Sequence, residues 1–577
     1  MYTHIKSVQI LISLLKQYNI KHIVISPGTR NTALAHSVET DDFFECYSIV
    51  DERSAGYFAL GISESLDVPV CVTCTAATAA CNYFPAIKEA YERNIQLVAL
   101  TADQDPYGMF HMEDQCIDQV DMFHGYVKCA IDIPKVMNDN DYWYCNRRMN
   151  EAFLSLNHNL KGPIQINYHM SYNLKEISSF EVSTLPVTRK IERINCKSDL
   201  TKFKEELKTK QKILVVAGSD FDIKDTLRKA IKSFCETYNC VVISDAYANI
   251  YDGTNDVVFN PKGLGDSISR DYITILKPDL IISFGNIYYS TVKYFIPSYS
   301  SEVEHWQISI DGSLNDGYHC LKNVFEGRPE QFFEHMVKNV VAKNNKVYAG
   351  IWKERIDKFI YPELEFTNFY VTKEFCARIP ENSLFHTTVL DSIRLSNYVN
   401  RADKIKCFAN IGADGIDGSF STFLGQVENE EFAFLLTGDL SFMYDMNSIF
   451  NRIPNNVRIL VINNYAGAEF HKNFGVTRIP TLNRFVAAGH SVKIENCCIN
   501  KNLNYLSATN QEELNVAFQT FFSESEKPIV LEVFTDAEVD AQTLKNYWDC
   551  NRLYSNKGLY FIKGSIKKVI KKLIRRN

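Results

Sequence analysis

Short, β-rich apolar runs alternate with amphipathic helical stretches along the whole chain, the pattern of parallel sheets covered by helices. Polar stretches interrupt the pattern near residues 181–197 and 343–368, and 577 residues divide into three domains of ordinary size. The predicted fold class is α/β, with three doubly wound parallel-sheet domains over 1–185, 186–345 and 346–550 and a short tail, 551–577.

In the first block the apolar runs predict strands at 22–26, 46–50, 69–74, 96–101, 128–133 and 163–167, with helices notably at 7–18 and 52–64. The second block predicts strands at 212–217, 240–244, 280–284 and 305–310. The third predicts them at 407–409, 432–436, 458–462 and 529–534. No internal repeat and no low-complexity segment is visible in the sequence. The tail differs. Ile566, Val569, Ile570, Leu573 and Ile574 form one helical stripe, with Lys567, Lys568, Lys571, Lys572, Arg575 and Arg576 on the other face. Such a basic amphipathic helix either docks on an acidic protein surface or lies on an anionic membrane.

The formal net charge is -7, and the last fifteen residues contribute seven positive charges and no negative ones, so the body is clearly acidic. That balance argues against nucleic-acid binding. No apolar stretch reaches the roughly 18–20 residues of a membrane span, and no signal-peptide layout is seen. The expected location is cytoplasmic, with peripheral contact at the inner face of the membrane as the tail's second option. Sixteen scattered cysteines in so long a chain read as reduced thiols. Cys71 and Cys74 sit at odd spacing in a predicted strand, so their side chains are expected on opposite faces, unsuited to a shared metal or disulfide.

Chemistry concentrates in two places. Thr437-Gly438-Asp439-Leu440-Ser441 ends one buried strand of the third block, and Asn463-Asn464 ends the next. Ligands of open α/β sheets bind outside the carboxyl ends of the strands, so these residues are expected to converge. A carboxylate, an amide oxygen and a nearby carbonyl make a partial oxygen shell for Mg²⁺, which water and substrate phosphates usually complete. A helix starting near Ser441 is expected to offer N–H groups to a diphosphate, with Gly438 permitting close approach. In the first block Asp51-Glu52 stands at a predicted helix start, ordinarily a capping arrangement.

Together and in this order, the two clusters resemble the thiamine-diphosphate enzymes of the decarboxylase and acetolactate-synthase group. Further motifs are similar to one branch of them, the 2-succinyl-5-enolpyruvyl-6-hydroxy-3-cyclohexene-1-carboxylate synthases of menaquinone biosynthesis. They are Ser26-Pro27-Gly28-Thr29-Arg30-Asn31-Thr32, Asn82-Tyr83-Phe84-Pro85-Ala86, Thr101-Ala102-Asp103 and the run from Asn410 to Gly418. The resemblance implies the domain order pyrimidine-binding, middle, diphosphate-binding, with thiamine diphosphate and Mg²⁺ as cofactors. It implies that Glu52 bonds the pyrimidine nitrogen and starts proton transfer within the cofactor, and that Ile416 wedges beneath it. Asp439, Asn464 and the Ala466 carbonyl would hold Mg²⁺, and Gly438, Leu440 and Ser441 would meet the diphosphate. Because Glu52 acts on cofactor held by a partner chain in this group, a homodimer or homotetramer is implied.

The same resemblance places Thr29, Arg30, Gln115 and Phe470 at the substrate site, and Arg394, in the region of a further arginine of the group, is expected to hold one acidic group of the substrate together with Arg30. There the sequence departs from the group. Ile411 and Gln104 replace arginines, Ala76-Ala77-Thr78 replaces Ser-Gly-Thr, and Glu469 replaces an Ile before Phe470. Neither Ile nor Gln reproduces a charge-assisted, bidentate grip on a carboxylate. The expected reaction is decarboxylation of a 2-oxo acid, with the resulting enamine protonated or transferred to an acceptor and Glu469 as proton donor or relay. The alternatives are the synthase reaction itself, from 2-oxoglutarate and isochorismate, and a non-catalytic binding homologue.

Overall fold

The computed structural model describes residues 1–552 apart from 171–172, 220–224, 245, 251–257, 261–262, 264–273, 287–295, 342–345, 403, 428–429 and 473–474. The basic helix read in the tail lies outside the described residues. Three α/β sheets are present, as the sequence predicts. By packing, the chain falls into two compact units: Met1–Ile194 with Ser313–Val324, and Asn195–Gly312 with Phe325–Asn577.

The first unit holds β1 (His22–Ile25), β2 (Glu45–Ser48), β3 (Val70–Cys74), β4 (Leu97–Asp103), β5 (Ala130–Ile133) and β6 (Ile164–His169). All pair in parallel in the order β2-β1-β3-β4-β6-β5. Strand alternation divides its core. Ile23, Cys71, Val98, Leu100, Ile164 and Ile166 pack on one face with the helix Lys6–Gln17, whereas Val24, Val70, Val72, Cys74, Leu97 and Ala99 pack on the other. Each fully buried Val, Leu or Ile contributes about 1.5–3 kcal/mol relative to exposure. Cys71 and Cys74 thus belong to opposite cores, as expected, and none of the sixteen cysteines is in a disulfide.

β7 (Glu192–Asn195) and β13 (Leu321–Glu326) lie where the chain passes between units, and the sequence reading placed no strand at either. Between them in sequence come β8 (Ile213–Ala217), β9 (Cys240–Ser244), β10 (Val258–Phe259), β11 (Leu280–Phe284) and β12 (Glu304–Ser309). These five run parallel in the order β10-β9-β8-β11-β12.

The last sheet comprises β14 (Leu384–Thr387), β15 (Lys406–Ala409), β16 (Ala433–Gly438), β17 (Val457–Asn463), β18 (Asn504–Ala508) and β19 (Ile529–Phe534). Its order, β15-β14-β16-β17-β19-β18, repeats that of the first sheet position for position, all parallel. The repeat invisible in the sequence is therefore present as topology. In each sheet the chain reverses direction beside the first strand, which leaves a crevice between the loops after β1 and β3, and another between those after β14 and β16. Among the described residues no helix is long and apolar enough to cross a membrane.

Candidate active site

The crevice of the last sheet opens into a cavity of about 310 Å³ at the carboxyl ends of β14, β16 and β17. Ile416, Gly438, Asp439, Leu440, Ser441, Asn464, Ala466, Glu469 and Phe470, named from the sequence in separate segments, all line it. Gly438 ends β16, and the helix that follows begins at Asp439 rather than Ser441 and spans only Asp439–Tyr444. Asp439 is buried at 3 % exposure. One carboxylate oxygen accepts the Leu440 N–H at 2.7 Å, and the other lies 3.2 Å from His490 Nε2. Burial pushes this carboxyl up, against the lowering effect of those two neighbours.

The two asparagines after β17 have separate duties. Asn463 is fully buried and donates to Glu532 at 2.7 Å and to the Val492 carbonyl at 2.9 Å, which knits the sheet end together. Asn464 faces the cavity. Its amide N–H donates to Asp540 at 3.0 Å, and its oxygen lies 3.4 Å from the Ala466 N–H. Asp540 also accepts from the Asn368 N–H at 2.8 Å and the Thr535 hydroxyl at 2.7 Å. Burial raises its carboxyl to about 7 despite those hydrogen bonds. The sequence carried no signal for Asp540 or His490, which stand 76 and 51 residues from their partners.

Beside this cluster lies a ring of four charges. Arg394 donates to Glu469 at 2.5 Å and to Asp391 at 2.9 Å; Lys472 bonds Asp391 at 2.5 Å and also bonds Glu469. Burial alone would raise Asp391, but the Lys472 and Arg394 charges outweigh it and hold the carboxyl below its ordinary range. Burial opposes the Arg394 charge too, and Asp391 and Glu469 more than offset it. Asp391 and Glu469 line the cavity, whereas Arg394 stands behind them, a placement different from the direct substrate contact expected of it. Leu390, before this turn, has φ +63°, a left-handed conformation uncommon for a non-glycine residue.

The remaining site residues named from sequence belong to the first unit. Asp51 caps the helix Glu52–Leu66 by accepting the Ser54 N–H at 2.7 Å, which leaves the half-buried Glu52 carboxylate out of the cap. Gly56 seats that helix close to its neighbour: an added Cβ would come within 2.8 Å of Ala86. Thr29 is exposed and Arg30 buried in the loop after β1, at the first sheet's crevice. Gly28 makes that loop possible, since a Cβ there would approach Thr75 to 2.4 Å. Gln115 is exposed, with φ +56°.

Ala77, in the loop after β3, adopts φ +66° and ψ -123°, a region suited to glycine, and its N–H donates to Gln119 at 2.6 Å. Such strain costs on the order of 1–3 kcal/mol, and glycine's added chain entropy returns roughly 0.4–1 of it. Ala77→Gly is expected to stabilise the protein by about 1 kcal/mol, read as a higher urea midpoint at unchanged slope.

At the end of β4, Asp103 is buried and accepts from Asn167 at 2.9 Å, so this carboxylate of the Thr101-Ala102-Asp103 motif is structural. Asn167 also donates to Asp132 at 2.9 Å, and His169 bonds Asp132 at 3.0 Å and the Gln104 carbonyl at 2.5 Å. Burial alone would lower His169, but the hydrogen bonds to Asp132 and Gln104 and the charges of Asp132 and Asp103 outweigh it, pushing it up to about 9. A histidine raised in the folded state stabilises fully below its free value of about 6.5, and that contribution is lost as pH rises through about 9. The urea midpoint is expected to fall across that window, and His169→Gln to flatten the fall.

Residues 5–122 match the family described as thiamine pyrophosphate enzyme, N-terminal TPP binding domain. Over 95 % of this chain and 99 % of the relative, the sequence is 31 % identical to a 2-succinyl-5-enolpyruvyl-6-hydroxy-3-cyclohexene-1-carboxylate synthase of Phocaeicola vulgatus. Proteins of the same name from Bacteroides thetaiotaomicron and Christiangramia forsetii are 30 % and 29 % identical over the same shares.

Proposed function

Because the chain belongs to the 2-succinyl-5-enolpyruvyl-6-hydroxy-3-cyclohexene-1-carboxylate synthase family of thiamine-diphosphate enzymes, we propose that it decarboxylates a 2-oxo acid and protonates the remaining fragment or passes it to an acceptor. The observation that carries this reading is the convergence of nine residues, from separate segments, on one cavity at the sheet's reversal point. A buried carboxylate, an amide held by Asp540 and a nearby main chain form an all-oxygen donor set that fits a hard cation. Asp439, Asn464 and the Ala466 carbonyl would hold Mg²⁺, with Gly438, Leu440 and Ser441 against the diphosphate and Ile416 beneath the cofactor.

Bound thiamine diphosphate supplies an electron sink for the pair left behind when CO₂ departs. The chain's own contribution is to position and to move protons. Glu52, free of capping duty, holds a proton at the pyrimidine nitrogen. Phe470 packs over the reacting centre, while Thr29, Arg30 and Gln115 belong to the substrate side. Glu469, read from sequence as a proton donor, has both oxygens engaged by Arg394 and one by Lys472, so the role assigned to it here is charge balance. Arg394, read as a substrate contact, is assigned the same role.

The three sheets support domain boundaries near 185, 345 and 550. As parts of the same proposal the enzyme is a cytoplasmic homodimer or homotetramer, with its basic tail able to touch the inner face of the membrane. The names and full-length coverage of the relatives favour a second reading, in which 2-oxoglutarate and isochorismate are the substrates. A panel of 2-oxo acids scored by CO₂ release, with and without isochorismate and with Glu52→Gln as the blank, separates the two. Release from 2-oxoglutarate only when isochorismate is present supports the second; release from another acid supports the first.

A further inference from the structure

Resting on that reading, we infer that His490 is a positioning residue of the metal site, joining the segment that carries Asp439 to the one that carries Asn464 and Ala466. The two segments follow different strands, Asp439 directly after β16 and Asn464 and Ala466 after β17. A strap formed by residues 487–494 lies along the second. The Ala487 carbonyl accepts the Gly467 N–H at 2.6 Å, and the His490 N–H donates to the Tyr465 carbonyl at 2.9 Å. The Val492 carbonyl accepts from the Asn463 amide at 2.9 Å. The His490 ring packs edge-on against Tyr465, with centroids 5.9 Å apart. Main chain and ring thus fix His490 to the loop after β17, and its imidazole reaches across to the carboxylate that follows β16.

The hydrogen bonds also fix which ring nitrogen carries the proton. A backbone N–H can only donate, and that of Val492 lies 3.1 Å from His490 Nδ1. Nδ1 is therefore the acceptor and Nε2 the donor, 3.2 Å from Asp439 Oδ2. The Leu440 N–H holds the other oxygen, Oδ1, at 2.7 Å. An ionised carboxylate offers about four lone-pair sites, so these two bonds orient it and leave the rest for a cation. The pair is shielded from bulk water, with His490 13 % and Asp439 4 % exposed by side chain. Without the Nε2–H, a buried oxygen loses its partner and the carboxylate loses one of the two bonds that orient it. Orientation of a metal ligand by such an outer partner is typically worth about 10- to 100-fold in metal affinity. Nothing in this role requires His490 to gain or lose a proton.

The experiment titrates thiamine diphosphate calorimetrically into the full-length protein at a series of Mg²⁺ concentrations. It reads the Mg²⁺ needed for half-maximal uptake, alongside the urea midpoint of the cofactor-free protein. His490→Phe keeps a ring against Tyr465 but removes the donor, and is expected to raise the Mg²⁺ requirement by about 10- to 100-fold. His490→Gln places an N–H at similar reach and is expected to recover most of that loss. His490→Ala, also without a donor but smaller, is expected to match Phe, so the inference does not depend on one variant folding. A requirement that follows side-chain volume or the urea midpoint rather than the donor would overturn the inference. So would three variants that all keep the wild-type requirement. Wild-type uptake indifferent to Mg²⁺ would instead remove the metal reading beneath it.

Discussion

Glu52→Gln is expected to lower kcat by about 100- to 10,000-fold, the range observed when a positioned proton-transfer group is lost. Gln keeps the size of the side chain and its place at the first helical residue. The helix cap is Asp51, which the substitution does not touch. Stability should therefore change by no more than about 1 kcal/mol, the size of a carboxylate's interaction with a helix N-terminus. Cofactor affinity by calorimetry should change far less than kcat, because the metal and diphosphate contacts are assigned to other residues. A variant that turns over within threefold of the wild type would sink the assignment of Glu52. One that merely unfolds would show itself in the urea midpoint.

Much of this was legible in the sequence, because the signals involved are local. Continuous apolar runs gave β3, β8, β11 and β19 to within one residue at either end. Gly438-Asp439 and Asn464 were legible because a strand end is itself a local signal. β14 was missed although it flanks the cavity and places Thr388–Ser392. Its four residues, Leu384–Thr387, are few and include a fully buried histidine, which breaks the continuous apolar run that marked the other strands. The fold makes His386 tolerable by pairing its Nδ1 with Gln426 at 2.9 Å, and burial drives its pKa down to about 4. The charges followed the same rule. Lys472 was a visible neighbour of Glu469 at three residues, but Arg394 stands 75 residues away and only the folded sheet brings it there. Strand alternation could have separated Asn463 from Asn464, since period two sends successive side chains to opposite faces. The identical order of the first and last sheets left no trace, because topology constrains the pattern of burial and not the residues that satisfy it.

Asp439→Ala is expected to weaken Mg²⁺-dependent uptake of thiamine diphosphate by more than about 100-fold and to abolish turnover with it. Loss of a residue that only orients a metal ligand typically costs about 10- to 100-fold, and loss of the one carboxylate in the proposed shell should cost more. Asp540→Asn supplies the graded comparison, because it perturbs the partner of the Asn464 amide, together with the Asn368 N–H and Thr535 contacts, without removing a proposed ligand, and about 10-fold is expected there. The grading matters because Asp439 is buried and any truncation of it alters packing. A purely structural defect would lower the urea midpoint and weaken cofactor uptake together, without regard to metal. A defect in ligation leaves the midpoint of the cofactor-free protein in place and removes the response to Mg²⁺. Calorimetry with thiamine diphosphate, with Mg²⁺ and then with the metal chelated, reads the difference directly. Uptake by Asp439→Ala equal to that of the wild type, or wild-type uptake indifferent to chelation, would remove Asp439 from the metal shell.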